Sequence, residues 1–151
     1  MSFLRPDRLS WEEYALGIAR VASLRSEDPY KKVGACALDY DNRVIGIGYN
    51  GLAKGKDVSP SFWLDRDSRR PFMIHAEVNC LSLFKYGECK TLAVTLMPCS
   101  SCASMIATYG IKKVYYQEEY GRDSGAKKIF DFYDIYLHRI EKIQNFPEEE
   151  L

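Results

Sequence analysis

The chain has 151 residues, 46% hydrophobic and 28% charged, with 21 Lys+Arg balanced by 21 Asp+Glu. That length fits a single soluble domain, residues 1–151, with enough core to fold without staples. The neutral balance argues against a duplex nucleic-acid partner, which needs a basic excess to neutralise phosphates, and no apolar run approaches the ~20 residues that span a membrane.

Charges in "MSFLRPDRLSWEEYALG" occupy the place where an export signal needs an apolar core, so a cytoplasmic location is expected. Five cysteines then read as reduced thiols, some of them free to hold metal, rather than as a disulfide framework. Ser10 and Glu13 form a capping box that opens a helix running to about Arg25. Trp11, Tyr14, Ala15, Ile18, Val21 and Ala22 recur at helical spacing and are the expected buried face. Two apolar runs around "DYDN" predict a hairpin, strands 33–38 and 43–49, covered on both faces. Residues 50–74 show little periodicity and read as a long loop of the kind that is often functional. A helix from His75 to about Tyr86, strand "TLAVTLM", helix "PCSSCASMIATYG", strand "KKVYYQ", a helix near 124–131 and a strand near 135–140 follow, then an acidic tail, about 144–151. Alternation of this kind predicts an α/β fold: a five-stranded mixed sheet between helices in three layers, α/β/α, its later strands parallel.

Only two histidines occur, and one opens "HAEVNC". Cys99 and Cys102 lie three apart at a predicted helix start, with Pro98 suited to the first turn, so both sulfurs share a side and the helix dipole favours thiolates. His75, at another helix start, can supply a third ligand. Two thiolates, a neutral imidazole and Zn²⁺ sum to zero charge and leave a fourth position for water. Glu77 lies two residues from His75, off its helical face, so it is a candidate proton carrier beside the open position rather than a ligand. The plainer alternatives are a core histidine with two buried thiols, or a four-ligand structural zinc. H-x-E followed by P-C-x-x-C is the arrangement of zinc deaminases.

"RSEDPYKKVGAC", "VIGIGYNG", "HAEVN" and "TLMPCSSCASMIATYGIKKVYY" extend that match over most of the chain. The sequence resembles the zinc-dependent cytidine/deoxycytidylate deaminase superfamily, and "GYNG" with "HAE-x-N" points to its deoxycytidylate (dCMP) branch. The resemblance implies the cytidine deaminase-like fold and hydrolytic conversion of dCMP to dUMP and ammonia, which supplies dUMP for thymidylate synthesis. It implies one zinc on His75, Cys99 and Cys102, with Glu77 carrying protons to N3 and the leaving amine. It further implies activation by dCTP, inhibition by dTTP with Mg²⁺, an effector motif at Tyr49, Asn50 and Gly51, and a homohexamer. Cys80 stands where the family usually has alanine, and Leu52-Ala53 replaces the usual loop proline.

Ala76, Asn50 and Tyr120 are the implied contacts to the nucleoside, Asn50 to the sugar hydroxyl and Tyr120 to the cytosine ring. An Asn-Gly turn would equally explain Asn50. Arg25 and Ser26 are candidates for the phosphate, although Arg25 also suits a helix C-terminus. Arg122, Arg69 and Arg70 look more like solvated surface charge. The remaining alternatives are another deaminase, acting on cytidine, dCTP or tRNA adenosine, and a zinc-stabilised nucleotide-binding module without turnover. Glu77 argues against the last.

Overall fold

A computed structural model describes residues 8–121, 125–143 and 146. Helix α1, Trp11–Ser23, starts at the capping box: the Ser10 hydroxyl accepts the Glu13 N–H at 3.1 Å, and the Glu13 carboxylate accepts the Ser10 N–H at 3.0 Å. Strands β1, Gly34–Leu38, and β2, Val44–Tyr49, form the expected antiparallel hairpin. Then come a 3-10 turn at Pro60–Trp63, the short helix α2, Arg66–Arg69, and a 3-10 turn at Arg70–Phe72. Helix α3 is Ala76–Leu81, strand β3 Thr91–Leu96, helix α4 Ser100–Thr108, strand β4 Lys113–Glu118, helix α5 Gly125–Phe132 and strand β5 Tyr136–Arg139. Ser124, at the expected start of α5, and the expected acidic tail, with the exception of Phe146, lie outside the described residues.

The five strands form one sheet in the order β2-β1-β3-β4-β5. β1 runs antiparallel to both neighbours, while β3, β4 and β5 are parallel and joined through α4 and α5. Side chains alternate across the sheet. Ala35, Ala37, Leu92 and Val94 face a core shared with α3, α4 and α5, whereas Cys36, Leu38 and Ala93 face α1 and Ile143. The result is the expected three-layer α/β/α arrangement.

Four sequence expectations need correction. Helix α1 buries Ala15, Leu16, Ala19 and Ala22 and leaves Trp11, Tyr14 and Val21 largely exposed. The reason is close approach: a Cβ on Gly34 would lie 1.8 Å from the Ala19 carbonyl oxygen, so small residues occupy the point where helix and strand touch, with Leu16 packed into the same cluster. Strand β2 is an edge, with Val44 and Ile47 exposed, so of the two hairpin strands β1 alone is covered on both faces. The helix after His75 stops at Leu81 rather than near Tyr86, and residues 50–74 carry local helical structure rather than an uninterrupted loop. Among the described residues, no helix is long and apolar enough to cross a membrane.

Candidate active site

Strand direction brings the candidate residues to one end of the sheet. β3 and β4 are parallel, so their carboxyl ends lie together, and Met97 N–H donates to the Glu118 carbonyl at 2.8 Å. β1 and β2 bring their Val33 and Asn50 ends to the same edge, where Asn50 N–H donates to the Val33 carbonyl at 3.1 Å. Ligands of open α/β sheets bind outside such carboxyl ends. Residues 50–74 leave and return here, closed at the base by paired backbone bonds of 3.0 and 2.7 Å between Gly51 and Ile74. His75 follows directly.

Helix α3 reaches this end because β2 offers no side chains beneath it. A Cβ on Gly48 would lie 2.5 Å from the Ala76 oxygen and the Cys80 nitrogen, and one on Gly46 2.8 Å from the Cys80 oxygen. Glycine at both positions lets the helix backbone rest on the strand. Asn79 Nδ2 then donates to the Tyr49 carbonyl at 2.8 Å and ties the helix to the end of β2. Cys80 is fully buried beneath the helix, and burial raises its thiol well above the usual range.

His75 and Cys99 occupy equivalent positions. Each is the N-cap of a helix, with φ −70°, ψ 151° for His75 and φ −75°, ψ 172° for Cys99, and neither uses its side chain in capping. Both side chains are therefore free to meet. His75 Nδ1 lies 3.3 Å from Cys102 Sγ and 3.6 Å from Cys99 Sγ, and the three ligand atoms fall within 4.8 Å of one another. Tetrahedral zinc with ordinary Zn–S and Zn–N bonds sets its ligand atoms roughly 3.5–3.8 Å apart. Donor chemistry and spacing both fit Zn²⁺. Among the described residues, no further His, Cys, Asp or Glu joins the group, so a fourth position is left for solvent or substrate. The hydrogen bond with the Cys102 thiol, helped by His75, pulls the Cys99 thiol down to about 4 against the opposing effect of burial.

Glu77 stands in the first turn of α3, outside that ligand group, and is only 4% exposed. Burial pushes its carboxyl up to about 7, partly opposed by its own backbone N–H and by His75. Glu77, Ala76, His75 and Cys99 line a cavity of about 310 Å³, which Tyr120 and Asn50 also border.

The same cavity holds four cations, Lys31, Arg66, Arg69 and Arg70, against two carboxylates, Asp28 and Glu77. Arg69, expected as surface charge, is 2% exposed. Its guanidinium donates to Asp28 Oδ2 at 3.1 Å and Oδ1 at 2.9 Å, and lies 5.1 Å from the ring centres of both Tyr30 and Trp63. Burial works to raise the Asp28 carboxyl, but the Arg69 hydrogen bond and the Tyr30 and Lys31 N–H groups outweigh it and hold it below the usual range. Asp65 caps α2 by accepting the Asp67 and Ser68 N–H groups, which fixes the turn that carries Arg66 and Arg69.

Arg25 and Ser26 do not border this cavity. Arg25 is exposed beyond the end of α1. Ser26 is buried and occupied locally: its hydroxyl donates to the Asn50 carbonyl at 2.8 Å and accepts the Asp28 N–H at 3.2 Å. Arg122 lies outside the described residues. Sequence reasoning missed Asp28, Lys31 and Arg66. The density of arginines in "DRDSRRP", close before His75, was the available signal for Arg66.

A family model described as the cytidine and deoxycytidylate deaminase zinc-binding region matches residues 9–118. Deoxycytidylate deaminase of Homo sapiens is 36% identical over 129 residues, covering 80% of this chain and 71% of that protein. ComE operon protein 2 of Bacillus subtilis (strain 168) is 34% identical over 140 residues, covering 89% and 74%. The crystal structure of dCMP deaminase from cyanophage S-TIM5 in apo form superposes with a TM-score of 0.70 at 26% identity, covering 85% of this chain and 96% of that one. The same enzyme in complex with dCMP and dUMP gives 0.66, also at 26% identity, over 86% and 93%. With the site geometry and these matches in agreement, the chain belongs to the cytidine and deoxycytidylate deaminase family.

Proposed function

We propose that this protein hydrolyses dCMP to dUMP and ammonia. The observation that carries the proposal is a zinc-compatible triad, His75, Cys99 and Cys102, with an unfilled fourth side, next to buried Glu77 in a cavity that also holds cations. Zinc would be held by His75, Cys99 and Cys102 and would supply a Lewis acid that brings the pKa of water down towards neutrality. Glu77 takes one proton from the attacking water as the water oxygen bonds to C4, delivers it to N3 of the cytosine, and carries the remaining hydroxyl proton to the amine as the C4–N bond breaks. Tyr120 offers its ring face to the base, and Asn50 accepts from the sugar hydroxyl. Since Arg25 and Ser26 lie off the cavity, the 5′-phosphate falls to Lys31, Arg66 and Arg70. The complex of the cyanophage enzyme with dCMP and dUMP supports this substrate class.

The same reading includes regulation in a cytoplasmic homohexamer, with dCTP activating and dTTP with Mg²⁺ inhibiting at Tyr49, Asn50 and Gly51. The Asn79 bond to the Tyr49 carbonyl supports it, because it joins that motif to the helix bearing Glu77. The test is ammonia release by the zinc-loaded protein from dCMP, dCTP, cytidine and a tRNA anticodon stem-loop, with and without dCTP and dTTP. Turnover of dCMP, stimulated by dCTP, is expected. Turnover of cytidine or the stem-loop with none of dCMP overturns the assignment.

A further inference from the structure

The Asn50 side chain is held on two sides before any ligand arrives. Its Oδ1 accepts the Val33 N–H at 2.9 Å, while Nδ2 donates to the Lys31 carbonyl at 2.9 Å and faces Asp28 Oδ2 at 3.5 Å. Turning the amide over would set its oxygen against a carbonyl and a carboxylate, and its NH₂ against an N–H. The orientation is therefore fixed. With both amide hydrogens directed at Lys31 and Asp28, the capacity that remains is the second lone pair of Oδ1. A ligand that touches this amide must donate to it.

Asp28 is itself fixed from the far side. Arg69 grips both carboxylate oxygens with both terminal nitrogens, and the rings of Tyr30 and Trp63 flank the guanidinium. This grip uses one planar fork and leaves Asp28 little freedom to rotate away from Asn50. It also ties the 50–74 segment to the Asp28 turn beside Asn50, across 41 positions of the chain.

We propose that Asp28 and Arg69 are a positioning pair that locks the Asn50 amide as a hydrogen-bond acceptor at the cavity, so that the site selects nucleotides bearing a sugar hydroxyl able to donate to it. For a 2′-deoxyribonucleotide that group is the 3′-hydroxyl. The inference rests on the dCMP reading above and adds to it the residues that enforce sugar recognition. Neither Asp28 nor Arg69 touches the reacting atoms.

The experiment compares kcat/KM for dCMP and for 2′,3′-dideoxycytidine monophosphate in the zinc-loaded wild-type protein and in Asp28→Asn and Arg69→Gln. A purely structural pair lowers both substrates by the same factor. A positioning pair changes their ratio. The wild type is expected to prefer dCMP at least tenfold, and both variants to bring the ratio within about threefold of unity, mainly through KM for dCMP. Arg69→Lys keeps the buried charge but loses the two-pronged grip; it is read in the same way if Arg69→Gln does not accumulate, and its ratio also falls at least threefold. A wild type that does not discriminate, or variants that keep the wild-type ratio, overturn the proposal. A wild type that deaminates neither nucleotide overturns the dCMP reading instead, and the pair's role with it.

Discussion

His75 Nδ1 and Cys102 Sγ lie 3.3 Å apart although 27 positions separate them in the chain. They meet because α3 and α4 both begin at the same end of the sheet, each with a ligand at or near its N-terminus. An ion placed there crosslinks two helices from different parts of the chain. Removing zinc with a chelator is expected to lower the thermal midpoint, and readdition to restore it. Cys102→Ser should abolish stoichiometric zinc, measured by elemental analysis, together with ammonia release. Chelation that leaves the midpoint unchanged would show that the triad holds no structural share of the metal.

Glu77 is expected to separate metal binding from turnover. It stands outside the ligand group, so Glu77→Gln should keep one zinc per chain while the rate of deamination falls by ~10²–10⁴ or more. Metal content and single-turnover kinetics on the same sample check both halves. A variant that remains active removes Glu77 from the proton path.

Short-range signals were the legible part of this chain. Pro98, Cys99 and Cys102 sit within one turn, the capping box spans Ser10 to Glu13, and strands β1, β2 and β3 are compact apolar runs. What stayed hidden depended on partners far away in sequence. Trp11, Tyr14 and Val21 share helical spacing with Ala15 and Ala22, yet Gly34 brings α1 so near the sheet that the buried face turns towards Leu16 and Ala19 and leaves the three larger residues exposed. Arg69 looked like surface charge among its arginine neighbours. Its burial follows from Asp28, Tyr30 and Trp63, and no local pattern announces that combination. Arg25 and Ser26 are phosphate candidates because their segment passes the open end of the hairpin, but chain direction after α1 leads one to solvent and the other into the Asn50 turn.

Gly48 offers a direct test of how the site is seated. A methyl group there would meet the Ala76 oxygen and Cys80 nitrogen at 2.5 Å, both of them backbone atoms that cannot swing aside. Gly48→Ala is expected to destabilise the fold by about 1–3 kcal/mol in denaturant unfolding. The helix that must move carries Glu77 and is capped by His75, so weaker zinc retention in competition with a chromogenic chelator should accompany the loss. Gly51→Ala is the control: a Cβ there meets nothing within 4 Å, and stability should hold within about 0.5 kcal/mol.

The buried Asp28–Arg69 pair fixes a pH dependence whose sign can be worked out. The folded-state pKa of Asp28 lies below its ordinary value because the Arg69, Tyr30 and Lys31 donors outweigh the cost of burial. A depressed carboxyl pKa adds stability that is fully present above the unfolded value, about 3.9, and is lost as pH falls through the folded value beneath it. Asp28→Asn strands the Arg69 charge, 2% exposed, and is expected to cost about 3–5 kcal/mol at pH 7. The gap between wild type and variant should stay constant from pH 7 down to about 5 and shrink below about pH 4. Urea unfolding of both proteins across that range is the measurement. A gap that widens on acidification would mean that Asp28 is not the charged partner of Arg69 in the native state.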